Sequence, residues 1–310
     1  MKRENGFLCI DNCKRKQANE HFKKTDHYWV YINGEEYYFK PTEHHYNELI
    51  GYHAAQILGV DACFCDLAIL DGEKGIISKS LRKEDTKLTS GYEILEDYAY
   101  SSISNLYWIK KMIGRSYVRY EFDRNYRKED ASIPERILHD LENIWHALEY
   151  KYKDDKRYDS EKIMNQIVKM FIFMLLSYDE DRFSFDWLIE ESKNDIRLAP
   201  LLDNEFSFNY DEYKHKQRQY ISMSPNSKTS DYSQLELIKE FLNISSSEYY
   251  DLFVTMYNTL YNSFCKVIQN VESQIGTKIP EAKRNEIYDG FIKNMDAIYE
   301  NVLKHKSNKK

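Results

Sequence analysis

Glycine is scarce in this chain, 10 residues in 310, and its five cysteines, Cys9, Cys13, Cys63, Cys65 and Cys265, are odd in number and scattered. Few glycines argue against an architecture of repeats built from tight turns. The cysteine set is not that of a paired disulfide scaffold and fits a reducing compartment. Cys9 and Cys13 have a zinc-like spacing, but no second close Cys/His pair completes it, so they read as free thiols. Nowhere does the chain reach the ~18 uninterrupted apolar residues of a membrane-spanning helix. No secretory apolar core follows Lys2, Arg3 and Glu4, and a cytoplasmic location is the simplest reading. An excess of positive charge is also missing. The 44 Lys and Arg stand against 51 Asp and Glu, a net charge of -7, which gives no general electrostatic attraction to nucleic acid or an anionic membrane.

What the chain has instead is length and aromatic mass. Its 310 residues, 27 of them tyrosine, can bury a sizeable core as one large domain or as two lobes. Residues 28–39 place β-rich runs on both sides of Asn33-Gly34, a strong hairpin signal that puts Lys40 at a strand end. Apolar residues at helical spacing over 46–58, notably Leu49, Ile50, Ala54 and Ile57, predict a helix closed by Gly59. Two further strands, 63–70 and 74–79, flank an Asp71-Gly72 turn. His44, His45 and His53 complete no convincing ligand set.

Beyond residue 90 the pattern is mostly helical. Pro134 suits a first helical turn, and Ile137, Leu138, Leu141, Ile144, Trp145 and Leu148 mark a helix packed by one face. Residues 151–158 read as its solvated continuation and a loop. Ser160 is the expected cap of the next helix, whose apolar face carries Ile163, Ile167, Met170, Phe171 and Met174. After a charged, tyrosine-rich segment over 209–220 and a loop over 221–230, in which Ser222, Ser224 and Ser227 read as ordinary exposed serines, come a short helix near 235–242, a longer one over 249–271 and a last one from Ile287 to Val302. Gly276 and Pro280 break the pattern between the last two.

Residues 164–208 carry the chemistry. A helical run leads into a polar loop with Asp179, Asp181 and Asp186. A short strand-like run, 187–189, follows, and a second hydrophobic segment delivers Leu201-Leu202-Asp203-Asn204. Strands and their connecting loop can bring Asp181, Asp186 and Asp203 together around magnesium and phosphate.

This stretch resembles the HipA-like serine/threonine kinases, in the shorter branch of that family that includes CtkA-like proteins. The catalytic loop of that family reads roughly Asp-Arg-His-x-x-Asn, and this chain has Asp181-Arg182-Phe183-Ser184-Phe185-Asp186. The second family motif, Pro-x-x-Asp-Asn-Gly before a Ser, is met by Pro200-Leu201-Leu202-Asp203-Asn204-Glu205-Phe206-Ser207. Phe183 replaces His, Asp186 replaces Asn and Glu205 replaces Gly. The resemblance implies an α+β, two-lobed protein-kinase-like fold. A small β-rich N-lobe would span residues 1–95 and a larger, mostly helical C-lobe residues 96–310.

The resemblance also implies roles. Asp181 would be the catalytic carboxylate, Arg182 would organise its loop or meet a phosphate, and Asp186 and Asp203 would hold Mg2+. Lys40 would be the ATP-binding lysine, with Glu48 as its helix partner. The phosphate-covering loop would fall over residues 18–27, which contain no glycine but offer Lys23 and Lys24. The strand region 69–77 would supply an adenine wall or the approach to a hinge, and Lys79 could approach substrate, although a surface role suits it better. Asp179 is a competing candidate for the catalytic Asp. The implied activity is ATP-dependent phosphoryl transfer to a protein serine or threonine, autophosphorylation included. The implied partners are a protein substrate and an antitoxin or regulatory protein. A pseudokinase that binds nucleotide or protein, and a kinase of small molecules or lipids, are the alternatives.

Overall fold

Two-residue turns organise the N-terminal region. β4 (Tyr28–Ile32) and β5 (Glu35–Pro41) pair antiparallel with Ile32 opposite Glu35, and β6 (Cys65–Leu70) and β7 (Glu73–Lys79) with Leu70 opposite Glu73. The turn residues Asn33 and Gly34 have φ of 52° and 86°, as do Asp71 and Gly72. A hairpin turn whose twist matches that of its strands needs φ above zero at both positions, which Asn-Gly and Asp-Gly adopt most readily. β5 then pairs with β7, so the two hairpins form one sheet.

The structure is a computed structural model that describes residues 2–18, 27–101, 141–179, 186–205, 207–208, 238–239, 241–243 and 246–304. Within them β1 (Arg3–Glu4), β2 (Phe7–Cys9) and β3 (Lys14–Gln17) complete a seven-stranded sheet of order β1-β2-β6-β7-β5-β4-β3, in which β2 runs parallel to β6. These three strands are too short for a period-two pattern to show in the sequence. Arg3 fastens the first of them, donating to both carboxylate oxygens of Asp66 at 3.2 and 2.6 Å. The exposed edge strand β3 reads Lys-Arg-Lys-Gln, and such charge discourages pairing with another chain.

Side chains alternate across a strand, and the two faces of this sheet serve different ends. Val30, Ile32, Phe39, Ala68, Leu70 and Ile77 pack with Ile10 into a small core. Leu67 and Ile76 join the main core, where α1 (His45–Ile57) lies. The expected helix is therefore present one residue earlier at each end, and Gly59, at φ 67°, follows its Leu58 cap. α1 is buried from Asn47 to Ala55 because the sheet covers one side and α5 (Ser247–Ile275) the other. Gln274 of α5 bridges both neighbours: its Oε1 lies 2.8 Å from His53 Nε2 and its Nε2 donates to the Cys65 carbonyl at 2.8 Å.

The rest of the described chain is largely helical. β8 (Lys87–Ser90) leads into α2 (Gly91–Ser101), and α3 (Leu141–Tyr152) packs on α2. The division expected at 95/96 falls inside α2. α4 (Ser160–Ser177) follows, then β9 (Leu188–Glu191) and β10 (Ile196–Leu198), which form a small sheet with β8 in the order β10-β9-β8. α5 is succeeded by α6 (Glu281–Ile298) and a π-helical turn, Tyr299–Leu303. The breaks at Gly276 and Pro280 stand where expected, Gly276 in the left-handed region as the cap of α5.

Three expectations need correction. Asp159, not Ser160, caps α4: its carboxylate accepts from the Lys162 N–H at 3.0 Å, while the Ser160 hydroxyl turns to Glu149. Tyr152 does not belong to a solvated stretch but is buried, its hydroxyl donating to Glu191 at 3.0 Å. The strand near 187 begins at Leu188, and Trp187 is instead a core side chain. Pro134, Ile137, Leu138, the segment 209–220 and the loop over 221–230 with Ser222, Ser224 and Ser227 lie outside the described residues, as do Leu235 and Leu237. Residues 238–239 and 241–243 are helical.

The five apolar residues predicted for α4 are all buried. α5 and α6 pack through Phe264 and Phe291, whose rings stack with centroids 3.7 Å apart. Phe208 lies against both rings, at 5.3 and 6.3 Å. Phe291→Ala is expected to cost about 3–5 kcal/mol of stability through the cavity it leaves, read as a lower urea midpoint in equilibrium unfolding.

Candidate active site

The register of the two hairpins decides which side chains share a face. Trp29 lies opposite Tyr38, Tyr38 opposite Ser78, and Lys40 opposite Ile76. These five residues form part of the wall of a cavity of about 650 Å³. The connector after β7 continues the wall with Ser80, Leu81, Arg82 and Lys83. Leu88, Leu188 and Leu202 add apolar surface from the other side, with Asp186 and Asp203 beside them. The cavity thus lies between the seven-stranded sheet and the small sheet.

The connector is fixed at both ends. Ser80 donates through its N–H to the Glu36 carbonyl and through its hydroxyl to the Glu36 carboxylate, each at 2.9 Å. Lys83 forms an ion pair with buried Glu190 of β9 at 2.9 Å. Arg82 lies over the Trp29 ring, 4.5 Å from its centroid, an attractive cation–π arrangement.

A short bridge brings Asp203 to the lysine. The Leu201 N–H donates to the Asp61 carbonyl and the Cys63 N–H to the Leu201 carbonyl, both at 2.8 Å, pairing this segment with the chain between α1 and β6. Asp203 then turns sharply, with φ 54°, a sparsely occupied conformation that Asp tolerates better than most residues. Lys40 Nζ donates to Asp203 Oδ1 at 2.9 Å and to Glu205 Oε1 at 2.7 Å. The other Glu205 oxygen accepts from the Thr42 hydroxyl at 2.9 Å. Burial alone would lower the pKa of the Lys40 ammonium, but the two carboxylates more than offset it and hold the pKa above the ordinary lysine value.

The loop that carries Asp203 and Glu205 rests on α1. Asn47 donates to the Ser207 carbonyl at 3.0 Å, and Asn204 Nδ2 donates to Glu48 Oε1 at 3.5 Å. Gly51 makes the approach possible, since a Cβ there would come within 2.7 Å of Asn204 Cβ and 3.2 Å of Ser207 Cβ. At the far end the Phe208 N–H donates to the Ser177 carbonyl at 2.6 Å, tying the loop to the end of α4.

Glu48 is not the partner of Lys40 in this structure, contrary to expectation. It is buried against the loop, and among the described residues its Oε2 has no hydrogen-bond partner. Burial first, then the negative charge of Asp203, push its carboxyl up to about 8. Lys40 donates instead to Glu205 and Asp203.

The structure therefore brings Lys40, Asp186 and Asp203 to one cavity. Asp181, Arg182, Lys23 and Lys24 lie outside the described residues. Asp179, the competing catalytic candidate, is buried just beyond α4. Lys79 lines the cavity and pairs with Glu35 at 2.6 Å. Among the described residues no three His, Cys, Asp or Glu side chains form a metal-binding cluster, and none of their helices is long and apolar enough to cross a membrane. The roles of Glu205 and Thr42 and the cavity wall of Trp29, Tyr38 and Arg82 were missed. The Asn33-Gly34 turn held the signal for two of these, because it fixes Trp29 opposite Tyr38 on the face of Lys40.

No family model matches the chain, and no curated protein matches it significantly. Solved structures do. The chain is similar to the crystal structure of a Helicobacter pylori proinflammatory kinase, CtkA, at 12% identity and a TM-score of 0.57, over 96% of each chain. It is also similar to a chain from a complex of the Shewanella oneidensis MR-1 toxin-antitoxin system HipA and HipB with operator DNA. There the identity is 14% and the TM-score 0.51, over 87% of this chain and 62% of that one. At such identities the likeness concerns the fold alone: a two-lobed architecture, β-rich at the N-terminal side and helical at the C-terminal side, resembling that of these structures.

Two outcomes follow for the site. Gly51→Ala forces α1 and the loop apart and is expected to cost about 1–3 kcal/mol, read as a lower melting temperature. The second concerns pH. Folding favours the neutral form of a carboxyl whose pKa is raised, so this contribution is intact below the ordinary glutamate value and is lost as pH rises through about 8. Glu48→Gln cannot ionise. It is expected to match the parent at about pH 4 and to melt higher than the parent at about pH 9, checked by thermal melts without added metal.

Proposed function

We propose that the chain catalyses ATP-dependent phosphoryl transfer to a serine or threonine hydroxyl of a protein. The observation that carries this reading is the meeting of Lys40, Asp186 and Asp203, far apart in sequence, on the wall of one cavity. Its size falls within the range of about 300–1,000 Å³ typical of small-molecule sites. Ile76, Leu88, Leu188 and Leu202 suit an apolar base, and the lysine and carboxylates at the same cavity suit an anionic tail with its cation. Magnesium is commonly held by one or two carboxylates together with phosphate oxygens rather than by an all-protein cage, so a pair of aspartates is a fitting donor set.

In this reading Lys40 orients the phosphates, and Asp186 and Asp203 are the Mg2+ ligands. Bound Mg2+ would neutralise charge on the phosphates. Asp181 accepts the hydroxyl proton as the substrate oxygen bonds to the terminal phosphorus and the bond from that phosphorus to the bridging oxygen breaks, releasing ADP. Arg182 organises the catalytic loop, and Lys23 and Lys24 belong to a phosphate-covering segment. The division into an N-lobe of residues 1–95 and a C-lobe of residues 96–310 goes with the same proposal. So does a protein partner, by analogy with the Shewanella oneidensis complex that contains HipA and HipB.

A second reading, a pseudokinase that binds nucleotide or protein, is favoured by one observation. Glu205 occupies the glycine position of the resembled motif and adds a negative charge where phosphates would come.

Intact-mass analysis of the dephosphorylated protein and its Asp181→Ala form, each incubated with ATP and Mg2+ and a mixture of candidate protein acceptors, separates the readings. Phosphate gain in the parent mixture and its loss with Asp181→Ala, an expected drop of about 10³-fold or more in rate, is the predicted result. Equal transfer by both forms would remove Asp181 from its role. Nucleotide binding without transfer to any acceptor would favour the pseudokinase.

A further inference from the structure

We infer that Glu205, not Glu48, is the residue that holds Lys40 in its working position. This assignment rests on the phosphotransfer reading of the same site and gives a role to a residue that the resembled motif lacks.

The geometry distinguishes the three carboxylates near this lysine. Glu205 is fixed at both oxygens, Oε1 by the Lys40 ammonium at 2.7 Å and Oε2 by the Thr42 hydroxyl at 2.9 Å. Lys40 and Thr42 flank Pro41 at the end of β5, so one carboxylate grips two points of the same strand end. Its side chain is only 12% exposed. Asp203 meets the lysine through Oδ1 alone, and its side chain is 43% exposed at the cavity. Glu48 is turned away to Asn204 and sits in the core beneath the loop.

These differences divide the work. A carboxylate held by two donors in a mostly buried setting keeps a fixed place and restricts the long lysine side chain. An exposed carboxylate at the cavity is the one placed to receive a cation. Glu205 therefore stays with Lys40, and Asp203 faces incoming charge. Moving the anchor from the helix to the loop also explains why Glu48 can be buried without an ammonium partner. Glu205 acts through Lys40 and is thus a positioning residue.

The reactivity of Lys40 tests this without any turnover. Nucleotide-free protein is treated with acetic anhydride and acylation at Lys40 is quantified by peptide mass, while MgATP binding to the same proteins is measured by calorimetry. Glu205→Gln is expected to speed Lys40 acylation about tenfold, because the ammonium loses the fixed one of its two carboxylate partners and the side chain is freed, and to weaken MgATP binding. Glu48→Gln is expected to leave acylation within about twofold of the parent, because no ion pair is lost. Glu205→Asp, one methylene shorter, should fall between and carries the comparison if Glu205→Gln does not fold. Faster acylation in Glu48→Gln than in the Glu205 variants, or the same rate in all of them, would overturn the assignment. A parent that neither binds MgATP nor transfers phosphate would remove the phosphotransfer reading, a result separate from the acylation comparison.

Discussion

The packing of α1 against loop residues 203–205 and 207–208 is the constraint on which the site depends. Asn47, Glu48 and Gly51 lie on the helix surface that meets Asn204 and Ser207. A backbone this close to a helix requires a residue without a Cβ, and it requires polar groups on the helix to meet those of the loop. From that contact Asp203 and Glu205 project back to the end of β5. The ion cluster around Lys40 is therefore supported from beneath by buried structure rather than held only by its own charges.

The same contact ties the two regions of the molecule together. α1 is covered by the sheet on one side and by α5 on the other, and residues from both regions contribute to one main core. Phe208, at the end of the loop, enters the helical core against Phe264 and Phe291. A disturbance of helical packing thus has a direct route to Asp203. The polar connector at Ser80 and Lys83 is a second link, made by hydrogen bonds and an ion pair rather than by apolar burial.

Electrostatics at the site follows from unequal burial. Glu48, Asp203 and Glu205 lie close together, but three ionised carboxylates around one ammonium would leave excess negative charge in a poorly solvated place. The most buried of them resolves this by favouring its neutral form. Glu205 and Asp203 remain with the lysine. Glu205 thereby belongs to the charge arrangement at the end of β5, and Glu48 to the packing beneath the loop.

Much of the secondary structure was legible in the sequence because its causes are local. Asn33-Gly34 and Asp71-Gly72 specify their turns through backbone conformations that few other pairs adopt. The apolar spacing of α1, α4, α5 and α6 reports faces that must be buried, and those faces are buried. The order of Lys40, Asp186 and Asp203 also suggested a shared site. What the sequence alone could not decide was which carboxylate meets the lysine. Glu48 and Glu205 are chemically the same residue, and their difference comes from depth: one is buried on α1 beneath Asn204, while the end of β5 receives the other. Charge pairing between residues some 160 positions apart is set by how helices and sheet pack, and that is a property of the tertiary structure.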